Sequence, residues 1–146
     1  MKIALGCDHG GYLLKKEVVR FLSEKGYEVV DFGCHSTDSI DYPDYAFPAA
    51  EAVACGTADR GIVICTTGIG VSICANKVQG IRCALCTSAF QAEMTRRHND
   101  TNVLALGAKT VSTEDALEIV AIWLNTSFEG DRHCRRVEKI TAYENR

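Results

Sequence analysis

Long apolar runs, proline and an excess of positive charge are what this 146-residue chain has least of. No stretch approaches the roughly 18 consecutive apolar residues of a membrane span. The opening MKIALGCDHGG passes from a strand pattern straight into a polar turn, without the apolar core of a secretory signal, so a cytoplasmic protein is expected. Sixteen basic residues against nineteen acidic ones leave a net charge of −3, which removes nucleic acid and membrane surfaces from the expected partners. With two prolines, no internal repeat and no low-complexity segment, nothing marks a linker, and one domain over residues 1–146 is expected. A chain of this length buries about two thirds of its unfolded surface, so the fold needs no staple.

Several motifs are missing as well. A P-loop requires Lys after its second glycine, and none stands there. A dinucleotide fingerprint needs a third Gly or Ala, but Gly68-Ile-Gly70-Val-Ser-Ile73 ends in Ile. A cysteine phosphatase loop needs Arg about six residues after its nucleophile, and that position is Val71. Eight cysteines would suggest disulfides in a small secreted chain, yet here they lie in apolar contexts and read as reduced thiols. Cys83-Ala-Leu-Cys86 matches C-x-x-C without a second pair. It lies in a strand pattern, where residues three apart face opposite sides, and this counts against a zinc or redox centre.

What is present alternates between strand and helix periods. Strands are expected at Lys2–Cys7, Tyr27–Phe32, Gly61–Cys65, Ile81–Cys86 and Val103–Leu106. Helices are expected over about Tyr12–Lys25, Asp44–Cys55, Gly70–Lys77, Ser88–His98 and Ser112–Asn125, with Gly26 and Gly56 as stops. In the first helix Leu13, Val18, Phe21 and Leu22 supply the buried stripe and the lysines face out. Ser112 with Asp115 resembles a capping box. The pattern is that of an α/β, doubly wound, Rossmann-like or flavodoxin-like domain with a five-stranded parallel sheet. Order 2-1-3-4-5 is expected by analogy, with an extra C-terminal helix in the tail from about 128.

The chemistry concentrates in IVICTTGIGVSICANK (62–77): a buried strand, a glycine turn and a helix start, with Cys65 at the strand's carboxyl end. A thiol facing a helix N-terminus sits where a thiolate is favoured, although a buried cysteine that merely fills space is the plainer reading. With strands one and three adjacent, Asp8, His9, Cys65 and Thr67 flank one crevice. Asp8-His9 also reads as a helix-capping pair, and His98-Asn99-Asp100 as a helix C-terminus. Arg132 and Arg136, four apart in the tail, project toward one anion or into solvent; Val137, Ile140 and Tyr143 give that helix an apolar stripe. Taken together, a thiol, histidines, a nest of N–H groups and paired arginines suit proton transfer on a phosphorylated carbonyl compound.

GCDHGG (6–11), DYPDYA (41–46), GIVICTTGIGVSICANK (61–77), RRHNDTNVLALG (96–107) and GDRHCRRVEKI (130–140), in that order, closely resemble the B-type ribose-5-phosphate isomerases, a family that includes galactose-6-phosphate isomerase subunits. The resemblance implies an aldose–ketose isomerase of ribose 5-phosphate and ribulose 5-phosphate with neither metal nor cofactor. It implies a homodimer, possibly paired into a tetramer, with active sites between subunits. By position, Cys65 is the base; a glutamate branch of the family carries its acid where Val71 stands here. The N–H groups of Thr66, Thr67, Gly68, Ile69 and Gly70 hold the cis-enediolate, and the Thr67 hydroxyl relays a proton. His98, from the partner subunit, opens the sugar ring, Asp8 and Asn99 hold hydroxyls, and His9, Arg132 and Arg136 clamp phosphate. Thr66 replaces a usual glycine and Lys109 a usual arginine. Other readings are a hexose 6-phosphate isomerase of allose or galactose type, a non-catalytic sugar-phosphate-binding module, and a zinc or redox protein.

Overall fold

A computed structural model describes all residues 1–146. Strands β1 (Lys2–Cys7), β2 (Glu28–Asp31), β3 (Arg60–Cys65), β4 (Cys83–Leu85) and β5 (Val103–Gly107) form one sheet in which every pairing is parallel. They alternate with helices α1 (Tyr12–Glu24), α2 (Pro43–Ala54), α3 (Ile69–Ala75), α4 (Ala89–Asn99) and α5 (Thr113–Asn125), and α6 (Arg132–Glu144) follows. No helix is long and apolar enough to cross a membrane.

The expected doubly wound class holds, but the strand order is 2-1-3-5-4 rather than 2-1-3-4-5. Burial explains the exchange. Central strands are covered on both faces and need unbroken apolar sequence. Val-Leu-Ala-Leu-Gly of β5 is buried throughout, whereas β4 has only three residues, all half-buried, and suits an edge. β1 and β3 remain neighbours, pairing from Ile3↔Arg60 to Cys7↔Ile64, so the crevice at their carboxyl ends is unaffected.

Alternation along the strands builds two cores. Ile3, Leu5, Ile62, Ile64, Leu104 and Leu106 point toward α1, α4 and α5; Ala4, Val63, Cys65, Val103 and Ala105 point toward α2 and α3. Cys83 packs against the second core and Cys86 lies within the first, the opposite-face placement expected of that C-x-x-C. Both helix caps read from sequence form: Ser88 accepts from the Gln91 N–H and Ser112 from the Asp115 N–H.

The first helix departs from expectation. Leu14, not Leu13, joins the stripe with Val18 and Leu22, and Leu13 is 65% exposed. Lys15, expected outside, is only 2% exposed. Its ammonium donates to both Asp31 carboxylate oxygens at 2.8 Å and to the Cys34 carbonyl at 2.6 Å, using all three of its donors. Burial without such partners would be prohibitive, and nothing local in the sequence announces partners 16 and 19 residues away.

Candidate active site

Cys65 ends β3 and is 5% exposed. The chain then turns through Gly68, which has φ +77°, a conformation glycine adopts without penalty. A Cβ there would lie 2.8 Å from the Leu106 carbonyl carbon and 3.0 Å from the Gly107 nitrogen, so close packing also demands glycine. The turn aims the Gly68 N–H at Cys65 Sγ, at 3.1 Å. The Ile69 N–H is engaged by Thr67 Oγ1 at 3.3 Å. Of the five N–H groups expected to face an oxyanion, Thr66, Thr67 and Gly70 therefore remain without an intrachain acceptor, while Gly68 serves the thiol and Ile69 the threonine. Val71 is fully buried in the core that contains Cys65, so no acid occupies that position.

The β1–α1 turn packs directly against this loop. The Asp8 N–H donates to the Ile64 carbonyl, and the Asp8 carboxylate, 6% exposed, accepts from the Gly11 N–H at 3.0 Å. Thr66 Oγ1 and Cβ lie against the bare Cα of Gly10, so the departure from a usual glycine at 66 is absorbed by a glycine opposite. His9 is half-buried; its Nδ1 accepts the Ile40 N–H at 3.2 Å, which puts the proton of a neutral ring on Nε2. The Ala108 and Lys109 N–H groups donate to the Cys65 and Thr66 carbonyls, bringing Lys109 to the loop with an exposed side chain that forms no ion pair. The turn that carries Asp8 and His9 and the loop that carries Cys65 and Thr67 thus lie side by side, joined through Asp8 with Ile64 and Gly10 with Thr66. Tyr42, quoted within DYPDYA but given no role, was missed: its ring lies against Gly70 of the loop.

His98, Asn99, Arg132 and Arg136 lie elsewhere. α4 ends at Asn99 with Asp100 in the left-handed region, and the Asn102 carbonyl accepts from Gly61 at the start of β3. His98 and Asn99 are therefore at the amino edge of the sheet, while Cys65 is at the carboxyl edge. Five strand steps of about 3.3 Å separate the two edges by about 17 Å. The half-buried His98 ring stacks on His133, centroids 4.3 Å apart and planes 13° apart, which brings the α6 start beside it. Arg132 and Arg136 are exposed and form no ion pair with any carboxylate. Glu129 drew no reading from the sequence and His133 was noted only within the basic tail, because their partners Arg97 and His98 lie about thirty residues earlier. Burial, then charge from Arg132, His98 and Arg136, hold the His133 imidazole below its ordinary value. Burial pushes Cys7 and Cys86 up to about 12, so neither is a thiolate near neutral pH.

A doubly wound domain with a buried-strand thiol, an N–H nest and an aspartate at its switch point has the layout of a small-molecule acid–base enzyme. The family described as Ribose/Galactose Isomerase matches residues 3–140, and the chain belongs to it. The chain is 53% identical over 145 residues to ribose-5-phosphate isomerase B of Escherichia coli, covering 99% of this chain and 97% of that one. Among solved structures it is similar to the Clostridium thermocellum ribose-5-phosphate isomerase B (TM-score 0.98, 56% identity, 99% and 98% of the two chains). It is also similar to the Mycoplasma genitalium enzyme solved with bound ribulose 5-phosphate (TM-score 0.96, 42% identity, 99% and 96% covered).

Proposed function

We propose that the chain interconverts ribose 5-phosphate and ribulose 5-phosphate through a cis-enediolate, with Cys65 as the base. The observation that carries this reading is the Cys65 thiol beneath a loop that fixes its sulfur with the Gly68 N–H and leaves three other N–H groups free. Cys65 takes the proton from C2 of the open-chain aldose, and the electron pair moves onto the carbonyl oxygen at C1. The Thr66, Thr67 and Gly70 N–H groups hold that oxygen as charge develops on it. The Thr67 hydroxyl relays a proton between the two enediolate oxygens. Cys65 then returns its proton to C1, giving the ketose. Asp8 orients sugar hydroxyls, and His9 with Lys109 meets the phosphate.

His98, Asn99, Arg132 and Arg136 complete this site from a second copy of the chain. Their place at the far edge of the sheet, about 17 Å away by strand length, supports a homodimer with shared sites. So does the apolar surface left on the chain: Ile140 is 53% exposed, Tyr143 66% and Phe90 70%. In the dimer His98 opens the furanose, Asn99 holds a hydroxyl and the arginines clamp phosphate, so that binding energy from the phosphate positions C1 and C2 over Cys65. The test is turnover of ribose 5-phosphate beside allose, galactose and other hexose 6-phosphates, in wild type and Cys65→Ala. Preference for the pentose, abolished in the variant while sugar-phosphate binding persists, is expected. Near-normal turnover by Cys65→Ala refutes the mechanism, a hexose preference reassigns the substrate, and binding without turnover by any substrate leaves a binding module.

A further inference from the structure

His133 belongs to none of the roles assigned above, yet the fold takes trouble to place it. The chain enters α6 through Gly130 at φ +73° and Asp131 at φ +48°, the second an uncommon conformation for a residue with a Cβ. Just before that turn the Glu129 N–H donates to the Arg97 carbonyl at 3.1 Å, and Arg97 Nε donates back to Glu129 Oε1 at 2.7 Å. This clip fixes residues 129–133 to the helical turn that carries His98. It seats the His133 ring, 4% exposed, flat against His98. Glu129 Oε2 lies 3.4 Å from His133 Nε2, a buried nitrogen that otherwise has no partner.

We propose that His133 is the positioning residue for His98: its ring, anchored through Glu129 and Arg97, fixes the plane in which His98 meets the sugar ring. This rests on the isomerase reading given above. His98 stands in the last turn of α4 and forms no hydrogen bond through its ring, so the stacking contact is what restrains its rotation. A neutral neighbour is required, since two stacked imidazolium rings would repel. Burial and the nearby arginines keep His133 in its neutral form, and its face can then stabilise charge on His98 when that ring holds a proton.

The nitrogen and carboxylate atoms of His98, Glu129 and His133 lie within 4.8 Å of one another, which raises a metal ion as the other occupant. Charge and orientation argue against it. Arg97 already holds Glu129, Arg132 and Arg136 add positive charge beside His133, and nearly parallel rings direct their lone pairs side by side rather than toward one point.

The test compares two reactions of one enzyme. Turnover of ribose 5-phosphate begins with a furanose that must be opened. Wash-in of solvent deuterium at C1 of ribulose 5-phosphate, an acyclic substrate, uses Cys65 and the enediolate-holding loop but requires no ring opening. His133→Ala is expected to lower the first by about tenfold or more and to change the second by less than about twofold. His133→Phe, which keeps a flat stacking face, should recover most of the ribose 5-phosphate turnover, and Glu129→Gln should lie between. Equal losses in both reactions, or full ribose 5-phosphate turnover by His133→Ala, overturns the proposal. Absence of both reactions in the wild type refutes the isomerase reading instead.

Discussion

Gly68→Ala tests the link between the loop's backbone and its chemistry. Alanine at φ +77° is disfavoured by about 1 to 2 kcal/mol. The new Cβ would meet Leu85 Cδ1 at 2.5 Å, which can swing away, and backbone atoms of Leu106 and Gly107 at 2.8 and 3.0 Å, which cannot. Overpacking of that kind adds about 1 to 3 kcal/mol. The total, about 2 to 5 kcal/mol, exceeds what a loop needs to shift, so relief comes by moving Gly68 and with it the N–H that meets Cys65 Sγ. Gly26→Ala is the matched control: φ is +82°, and nothing lies within 4 Å of its Cβ position. That variant carries only the backbone penalty, so its Tm should fall by about 2 to 8 °C with kcat unchanged. Gly68→Ala should lose kcat by about tenfold or more whether or not its Tm falls further. Thermal unfolding and ribose 5-phosphate kinetics on both variants decide the matter. Equal Tm losses with full activity in both would refute the claim that close packing at Gly68 sets the thiol's hydrogen bond.

Mixing Cys65→Ala with His98→Ala protein, each inactive alone, should restore partial activity as heterodimers form, measured by turnover after co-refolding; no recovery counts against shared sites. Lys15→Met keeps the stem but leaves the Cys34 carbonyl only the weak Cys7 thiol as donor and Asp31, 30% exposed, without its ammonium, so a loss of about 2 to 4 kcal/mol in urea unfolding is expected. Alkylation of the native protein at neutral pH should label Cys55 first, because it is exposed and the Thr57 hydroxyl lowers its thiol below the ordinary value, and should spare Cys7 and Cys86. For His133 the folded value lies below the ordinary 6.5, so the unfolded chain binds more protons between the two and stability falls as pH drops from about 6.5 through the folded value. The decline in Tm from pH 7 to 5 should be shallower in His133→Phe.

The elements that follow local rules were legible in the sequence. Gly26 and Gly56 at positive φ, the Ser88 and Ser112 caps and the buried runs of β1 and β3 each depend on a few neighbouring residues. The carboxyl-edge half of the site was legible for the same reason, since adjacency of β1 and β3 suffices to bring Asp8 to Cys65. What failed depends on distant partners. Lys15 reads as a surface residue until Asp31 and the Cys34 carbonyl fold over it, and Leu13 and Leu14 differ only by which face α5 covers. Strand order was borrowed from a common fold, although the complete burial pattern of Val103–Gly107 already favoured a central place. The roles of Glu129 and His133 were missed because their contacts with Arg97 and His98 span about thirty residues with no local spacing rule behind them.

The separation of the two half-sites also bears on why the thiol can be so deeply set. Cys65 is 5% exposed and Asp8 6%, so a substrate reaches them only by lying across the carboxyl edge of the sheet. In the isomerase reading proposed above, this chain would offer the phosphate His9 and Lys109 on that edge, and Lys109 lacks the planar fork with which an arginine would grip two oxygens. On the same reading the guanidinium groups of Arg132 and Arg136, free of intrachain carboxylates, would supply the missing counter-charge, and a single chain holds them beside His98, away from Cys65. In that reading a lone subunit would bind sugar phosphate weakly and orient it poorly over Cys65, and it would lack the His98 imidazole that opens the furanose. Charge reversal at Arg136 should accordingly raise KM for ribose 5-phosphate while leaving Cys65 and its Gly68 hydrogen bond intact, and the same change should leave a lone subunit's alkylation pattern unaltered.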